Sequence, residues 1–169
     1  LHRQMRETVR SGAIGEVRLA RLDFCFEYAA RSNWRMDAAI SGGGAFADLG
    51  PHLLDLLTWV TGIPIQVVGT LLNQRSEGGS EAACTTLLRL GATGHAILTT
   101  RFDLPAEHAP GRFELWGTTG SMVATPWSSA ATSWMPAVAV TSFAESSPEA
   151  TEVPTTAART ATTTTTAST

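Results

Sequence analysis

The sequence contains no lysine, and all twelve of its basic residues are arginines. That absence removes a lysine acid, base or Schiff base from any chemistry these 169 residues perform. Charged side chains make up only 16%, and fifteen acids against twelve bases leave a net charge of −3, so no basic footprint invites nucleic acid. Cysteine is limited to Cys25 and Cys84, far apart and without metal-type spacing, a pattern that favours two buried reduced thiols over a disulfide. No apolar run is long enough to cross a bilayer, and no basic-then-apolar leader opens the chain. A cytoplasmic protein without membrane contact is expected. No Gly-x-Gly-x-x-Gly follows a strand pattern, so the dinucleotide fingerprint is also missing.

What is present suits one sizeable domain, because 43% hydrophobic residues in a chain of this length can fill a core. Leu1, Met5 and Val9 recur at i, i+4, i+8 and predict a first helix, which Ser11-Gly12 ends. Residues 16–28 read as a strand, with Ala20, Leu22, Phe24 and Phe26 on one face and Arg21, Asp23 and Glu27 on the other. Residues 29–41 are polar and irregular. A second helix is predicted over about 45–60, closed by Gly62 and Pro64. Strand patterns follow over 65–72, 82–90 and 95–103, the last two joined by a turn at Gly91–Gly94, with short strands over 113–116 and 121–124. A helix, a strand, a helix and then a run of strands on tight turns predict an α+β fold: an open, mostly antiparallel sheet with helices packed on one face.

From residue 126 onward Ser, Thr, Ala and Pro dominate, and the chain closes in TTAARTATTTTTAST. Such a segment buries too little apolar area to offset its ordering entropy. The expected organisation is therefore a folded domain over 1–125 and a tail over 126–169 without fixed structure. Trp127, Trp134 and Met135 are out of character there and fit the remnant of a strand pair.

The stretch SGGGAFADLGPHLLDLLTWVTG carries the chemistry. At about 100° per residue, Leu49, Leu53, Leu56, Leu57 and Val60 gather on one side of the helix, and Asp48, His52, Asp55 and Trp59 on the other. A carboxylate four residues before a histidine on one face can orient the ring and fix its tautomer, which suits a general acid/base. The three glycines let the chain approach closely and leave backbone N–H groups open at the positive helix end. Pro51 leaves two geometries open. Either the helix is disturbed there, or Pro51 lies in the true first turn and Asp48 is a cap. As a metal pair, Asp48 and His52 lack a third ligand motif. Trp34-Arg35 offers an aromatic face and a guanidinium, which suit a polyol and serve equally as a loop anchor. His2, His95 and His108 have nothing chemical beside them in the sequence.

Together these pieces resemble the C-terminal domain of the glucose–fructose oxidoreductase / inositol dehydrogenase family (Gfo/Idh/MocA). The matching text is VRSGAIGEVRLARLDF, NWRMDAAISGGGAFADLGPHLLDLLTWVTG and GRFELWGTTGSM, within residues 9–123. The resemblance implies a substrate domain whose partner, an N-terminal Rossmann domain, binds NAD or NADP. It implies hydride transfer between nicotinamide and a hydroxyl-bearing carbon of a sugar or cyclitol, and homo-oligomers formed through the open sheet face. Carried over, His52 is the proton acid/base, Asp48 its partner or a substrate ligand, and Trp34 and Arg35 border the pocket. The family's Glu-Lys-Pro motif and its later strands and final helix are absent from this sequence. The chain alone is therefore expected to be an inactive fragment of an oxidoreductase. The rival expectation is a non-catalytic sheet domain that mediates association.

Overall fold

A computed structural model describes residues 1–27, 34, 37–74, 79–105, 111–124 and 138–142. The elements are α1 (His2–Arg10), β1 (Val17–Cys25), α2 (Ala38–Ser41), α3 (Ala45–Thr61), β2 (Ile65–Gln74), β3 (Glu81–Leu90), β4 (Gly94–Arg101), β5 (Gly111–Gly117), β6 (Gly120–Ala124) and β7 (Val138–Ser142). The seven strands form one sheet in the order β2-β3-β4-β1-β5-β6-β7. Among the described residues only β1 and β4 run parallel, with Leu22 beside Leu98, and every other pairing is antiparallel. The expected fold class is thus observed: an open, largely antiparallel sheet carrying its helices on one face.

Alternation explains how the sheet meets those helices. Ala20 and Leu22 of β1 pair with Leu115 and Phe113 of β5 and with Ala96 and Leu98 of β4, so all six share the helix-bearing face. They are buried together with Leu88 and Leu90 of β3 and with Leu53, Leu56, Leu57 and Val60 of α3. Met5 places α1 in the same core, and the guanidinium of Arg6 lies 4.6 Å over the ring of Trp59, tying α1 to α3. A smaller cluster of Ala45, Leu49 and Phe102 seats the start of α3. Each fully buried leucine contributes about 2 kcal/mol relative to exposure. The helix-side leucines therefore fix which face α3 turns outward. Among the described residues, no helix is long and apolar enough to cross a membrane.

Two features go beyond what alternation and composition report. Alternation places Asp23 on the open face, and it is on that face, yet it is only 1% exposed. Its Oδ2 accepts a hydrogen bond from Arg21 Nε at 2.9 Å, and Arg112 lies directly across the strand pair. A buried carboxylate requires such a partner. Second, Val138–Ser142 falls inside the segment expected to lack structure, and it forms β7 along the edge of β6, with Val140 beside Met122. The alternating Val-Ala-Val-Thr-Ser has the β-branched character that a composition-level reading of the tail averages away. Trp127, Trp134 and Met135 lie outside the described residues.

Replacing Leu57, fully buried on the core side of α3, by Ala is expected to cost about 2–5 kcal/mol, read as a shift in the urea unfolding midpoint. A loss under about 1 kcal/mol would contradict this docking of α3.

Candidate active site

The helix that carries the candidate residues runs unbroken from Ala45 to Thr61 and contains Pro51 in its second turn. The second of the two geometries left open by the sequence therefore does not hold, since Pro51 is internal. It removes the hydrogen bond that would return to the carbonyl of Ala47, and Ala47 is exposed, so that carbonyl can turn to water. Asp48 is not a cap. The N-cap is Gly44, and the backbone N–H of Asp48 donates to the Gly44 carbonyl at 3.1 Å. At the other end Gly62, with φ of 69°, takes the left-handed conformation and donates to the carbonyl of Thr58.

The glycine run has a different purpose from the one its sequence suggests. The N–H groups at the start of α3 are not left open. Oε1 of Glu81, the first residue of β3, accepts hydrogen bonds from Phe46 N at 3.0 Å and Ala47 N at 3.2 Å. A Cβ on Gly44 would land on the carbonyl of Glu81, so only glycine lets the helix start this close to the strand. A negative side chain thus fills the positive end of α3, where a ligand phosphate would otherwise fit.

The outward face of α3 is as the periodicity predicts: Asp48 is half-buried, and His52, Asp55 and Trp59 are exposed. His52, Asp55, Leu56 and Trp59 line an open cleft of about 540 Å³ together with His2 from α1 and Phe24 from β1. Asp48 lies one turn nearer the helix start. Sequence reasoning does not single out His2, Phe24, Asp55 or Trp59 as site residues. Asp55 and Trp59 are legible as members of the stripe, whereas His2 and Phe24 arrive through tertiary packing. Trp34 is 52% exposed and begins a turn in which its carbonyl accepts from Asp37 N; it does not line this cleft. Arg35 and His108 lie outside the described residues. His95 is exposed on the other face of the sheet, beside Leu19. Among the described residues, no group of three or more His, Cys, Asp or Glu side chains is placed to hold a metal ion.

A hydroxyl-bearing ligand suits such a cleft. Trp59, held by Arg6, offers a flat apolar wall, two imidazoles and a carboxylate offer proton donors and acceptors, and Leu56 and Phe24 close the floor. The residues present do not suit a dinucleotide. There is no glycine fingerprint, and the helix N-terminus that could receive a pyrophosphate already holds Glu81.

Comparison with known proteins gives this architecture its family. A profile described as the GFO/IDH/MocA C-terminal domain matches residues 2–123, and the chain belongs to that family. No curated protein matches it. Among solved structures it is similar to an aldose-aldose oxidoreductase from Caulobacter crescentus complexed with glycerol, at 22% identity and a TM-score of 0.71, over 82% of this chain and 41% of that one. It is similar to a 3-ketoreductase from Actinomadura kijaniata in complex with NADP and TDP-benzene, at 22% identity and a TM-score of 0.71, over 83% of this chain and 42% of that one. A levoglucosan dehydrogenase in complex with NADH aligns at 17% identity and a TM-score of 0.63, over 82% of this chain and 43% of that one. At these identities the likeness is one of fold, and the chain spans about two-fifths of the length of these relatives.

The thiols stand apart from the cleft chemistry. Both cysteines are free and buried, as their spacing predicts. Burial, reinforced by the Asp23 carboxylate, pushes the Cys25 thiol up to about 12 from its ordinary 9.0, and burial also raises Cys84. The fold therefore favours the protonated thiol. Its contribution to stability is intact below pH 9 and is lost as pH rises from there toward 12. Iodoacetamide at pH 8 is expected to leave Cys25 unmodified in the native chain and to label it once the chain is unfolded in urea. Rapid native labelling would refute the burial.

Proposed function

We propose that the chain is the substrate-side domain, residues 1–125, of an NAD(P)-dependent oxidoreductase acting on a hydroxyl-bearing carbon of a sugar or cyclitol. The observation that carries this reading is the outward stripe of α3, which presents His52 to an open cleft with Trp59, Asp55 and His2 around it. In this reading His52 takes the hydroxyl proton as the carbinol carbon is oxidised, and Asp48, one turn before it, assists as its partner or as a ligand for a neighbouring hydroxyl. Trp34 and Arg35 remain candidate substrate ligands on the family resemblance alone, since Trp34 does not line the cleft and Arg35 lies outside the described residues. Membership of the family and the fold shared with nicotinamide-complexed relatives support the choice of NAD or NADP. That cofactor is assigned to sequence outside this chain, because the residues present do not fit it, and the 169 residues alone are proposed to be inactive.

Two measurements test the reading. The coding sequence ahead of Leu1 is expected to encode a strand, a glycine fingerprint and a helix, with Glu-Lys-Pro further on. A start codon with nothing dinucleotide-like behind it sinks the enzyme reading. In the protein that gene encodes, His52→Asn is expected to lower kcat on a panel of polyols by about 10²-fold or more, and Asp48→Ala by less. Unchanged turnover in both removes them from the mechanism.

A second reading concerns association. Leu71 of β2 and Leu87 of β3 are exposed on the open face, and the exposed Val67, Val68 and Leu72 extend the apolar surface along the edge strand β2. We propose that copies of the chain associate through this open side of the sheet. Light scattering is expected to give a mass above that of the 17.9 kDa monomer, and a clean monomer over a wide concentration range would refute it.

A further inference from the structure

We infer that Glu81 is the positioning residue of the reacting helix, holding Asp48 and His52 in register across the hydrogen bond that Pro51 removes from α3; the inference rests on the reading of His52 as the acid/base.

Helix starts are ordinarily tied by an N-cap side chain that accepts from the first free N–H groups. Here the N-cap is glycine and has no side chain to do this. The first turn is also weakly joined to the second, because Pro51 has no N–H to donate to Ala47. Asp48 lies in the first turn and His52 immediately beyond Pro51, so the spacing between them spans this joint. A first turn lacking both a cap and one hydrogen bond to the next turn would fray, and Asp48 would move relative to His52.

Glu81 supplies the missing tie from outside the helix. Its Oε1 accepts from both Phe46 N and Ala47 N. Ala47 is the same residue whose carbonyl Pro51 leaves without a helical donor, so Glu81 anchors the weak point itself. A carboxylate accepting from backbone N–H at the positive helix end is a charge-assisted pair, stronger than a neutral one. The contact is also enforced by the backbone: Gly43 and Gly44 lie against Glu81, with no room for a Cβ on Gly44. Below, Ala45 and Leu49 rest on Phe102, whose N–H donates to the carbonyl of Ala82, the residue after Glu81. The carboxylate, the glycines and this small cluster therefore converge on one strand end and give the first turn its place. Glu81 is outside the cleft and touches no substrate; it acts only through α3.

The test uses Glu81→Ala and the isosteric Glu81→Gln, which keeps an acceptor oxygen without the charge. In the 169-residue chain, amide hydrogen exchange of Phe46 and Ala47 is expected to speed up by about tenfold or more in the Ala variant. Leu56 and Leu57, on the far side of Pro51, should keep their protection, and the Gln variant should recover part of the loss. In the protein encoded by the whole gene, the Ala variant should lower kcat by about tenfold with little change in KM, and Gln should restore part of it. Unchanged exchange at Phe46 and Ala47 overturns the inference. So does a loss spread evenly along α3, or a loss confined to the first turn with kcat unaffected. If His52→Asn leaves turnover unchanged, the acid/base reading fails separately, while the exchange data still decide whether Glu81 holds the first turn.

Discussion

The arrangement of this domain depends on the burial of one side of α3 against β3, β4 and β1. Leu53, Leu56, Leu57 and Val60 sit in the same core as Ala20, Leu22, Leu88, Ala96 and Leu98. Rotating the helix by one residue, about 100°, would expose that leucine row and bury the polar stripe, at a cost of several leucine transfer energies. The direction in which His52 points is thus a by-product of hydrophobic burial on the opposite side. The chemistry of the outward face costs little in stability, because the core fixes the helix without its help.

Local periodicity makes much of this legible. The second helix, expected over 45–60, is found at Ala45–Thr61, with the leucine side and the Asp48–His52 side as the spacing predicts. The strand segments and the Gly91–Gly94 hairpin are likewise visible, because alternation and turn chemistry are written in neighbouring residues. The features that escape are set by distant partners. Nothing in the sequence around residue 81 marks Glu81 as the acceptor for a helix start some 35 positions earlier, so the glycine run reads as leaving that end open. His2 and Phe24 reach the cleft only because α1 and β1 pack beside α3. The burial of Asp23 is not legible because alternation reports the face and not the cover. β7 is lost in the bulk composition of a Thr-rich segment.

The open face of the sheet follows a different rule from the helix-bearing face. Arg18 pairs with Glu16, Arg21 with Asp23, Arg101 with Asp103 and Arg112 with Glu114, in each case an acid two residues away. Residues i and i+2 of a strand share a face, so Arg21–Asp23 in β1 and Arg112–Glu114 in β5 neutralise charge locally, and Glu16 and Asp103 do so from just beyond the ends of β1 and β4. Asp23 and Glu114 are buried and depend on their arginines, whereas the exposed pairs Arg18–Glu16 and Arg101–Asp103 add little stability. Their effect is on recognition: these guanidinium groups are already engaged, and the face presents mixed charge beside apolar Leu87 and Leu71 rather than a field that would attract a polyanion.

The position of β1 in the sheet has a consequence for how the domain is made. Within this domain β1 is the earliest strand in chain order and the central one in the sheet, and both of its neighbours come late: Leu19 waits for His95 on one side and for Trp116 on the other. α3 is synthesised before β3 and β4, the strands it must cover. The helix bearing Asp48 and His52 therefore spends the interval of synthesis with its leucines unsheltered. Closure of so many distant pairings is slow by nature, and the nascent chain has to be kept from aggregating until Trp116 has emerged.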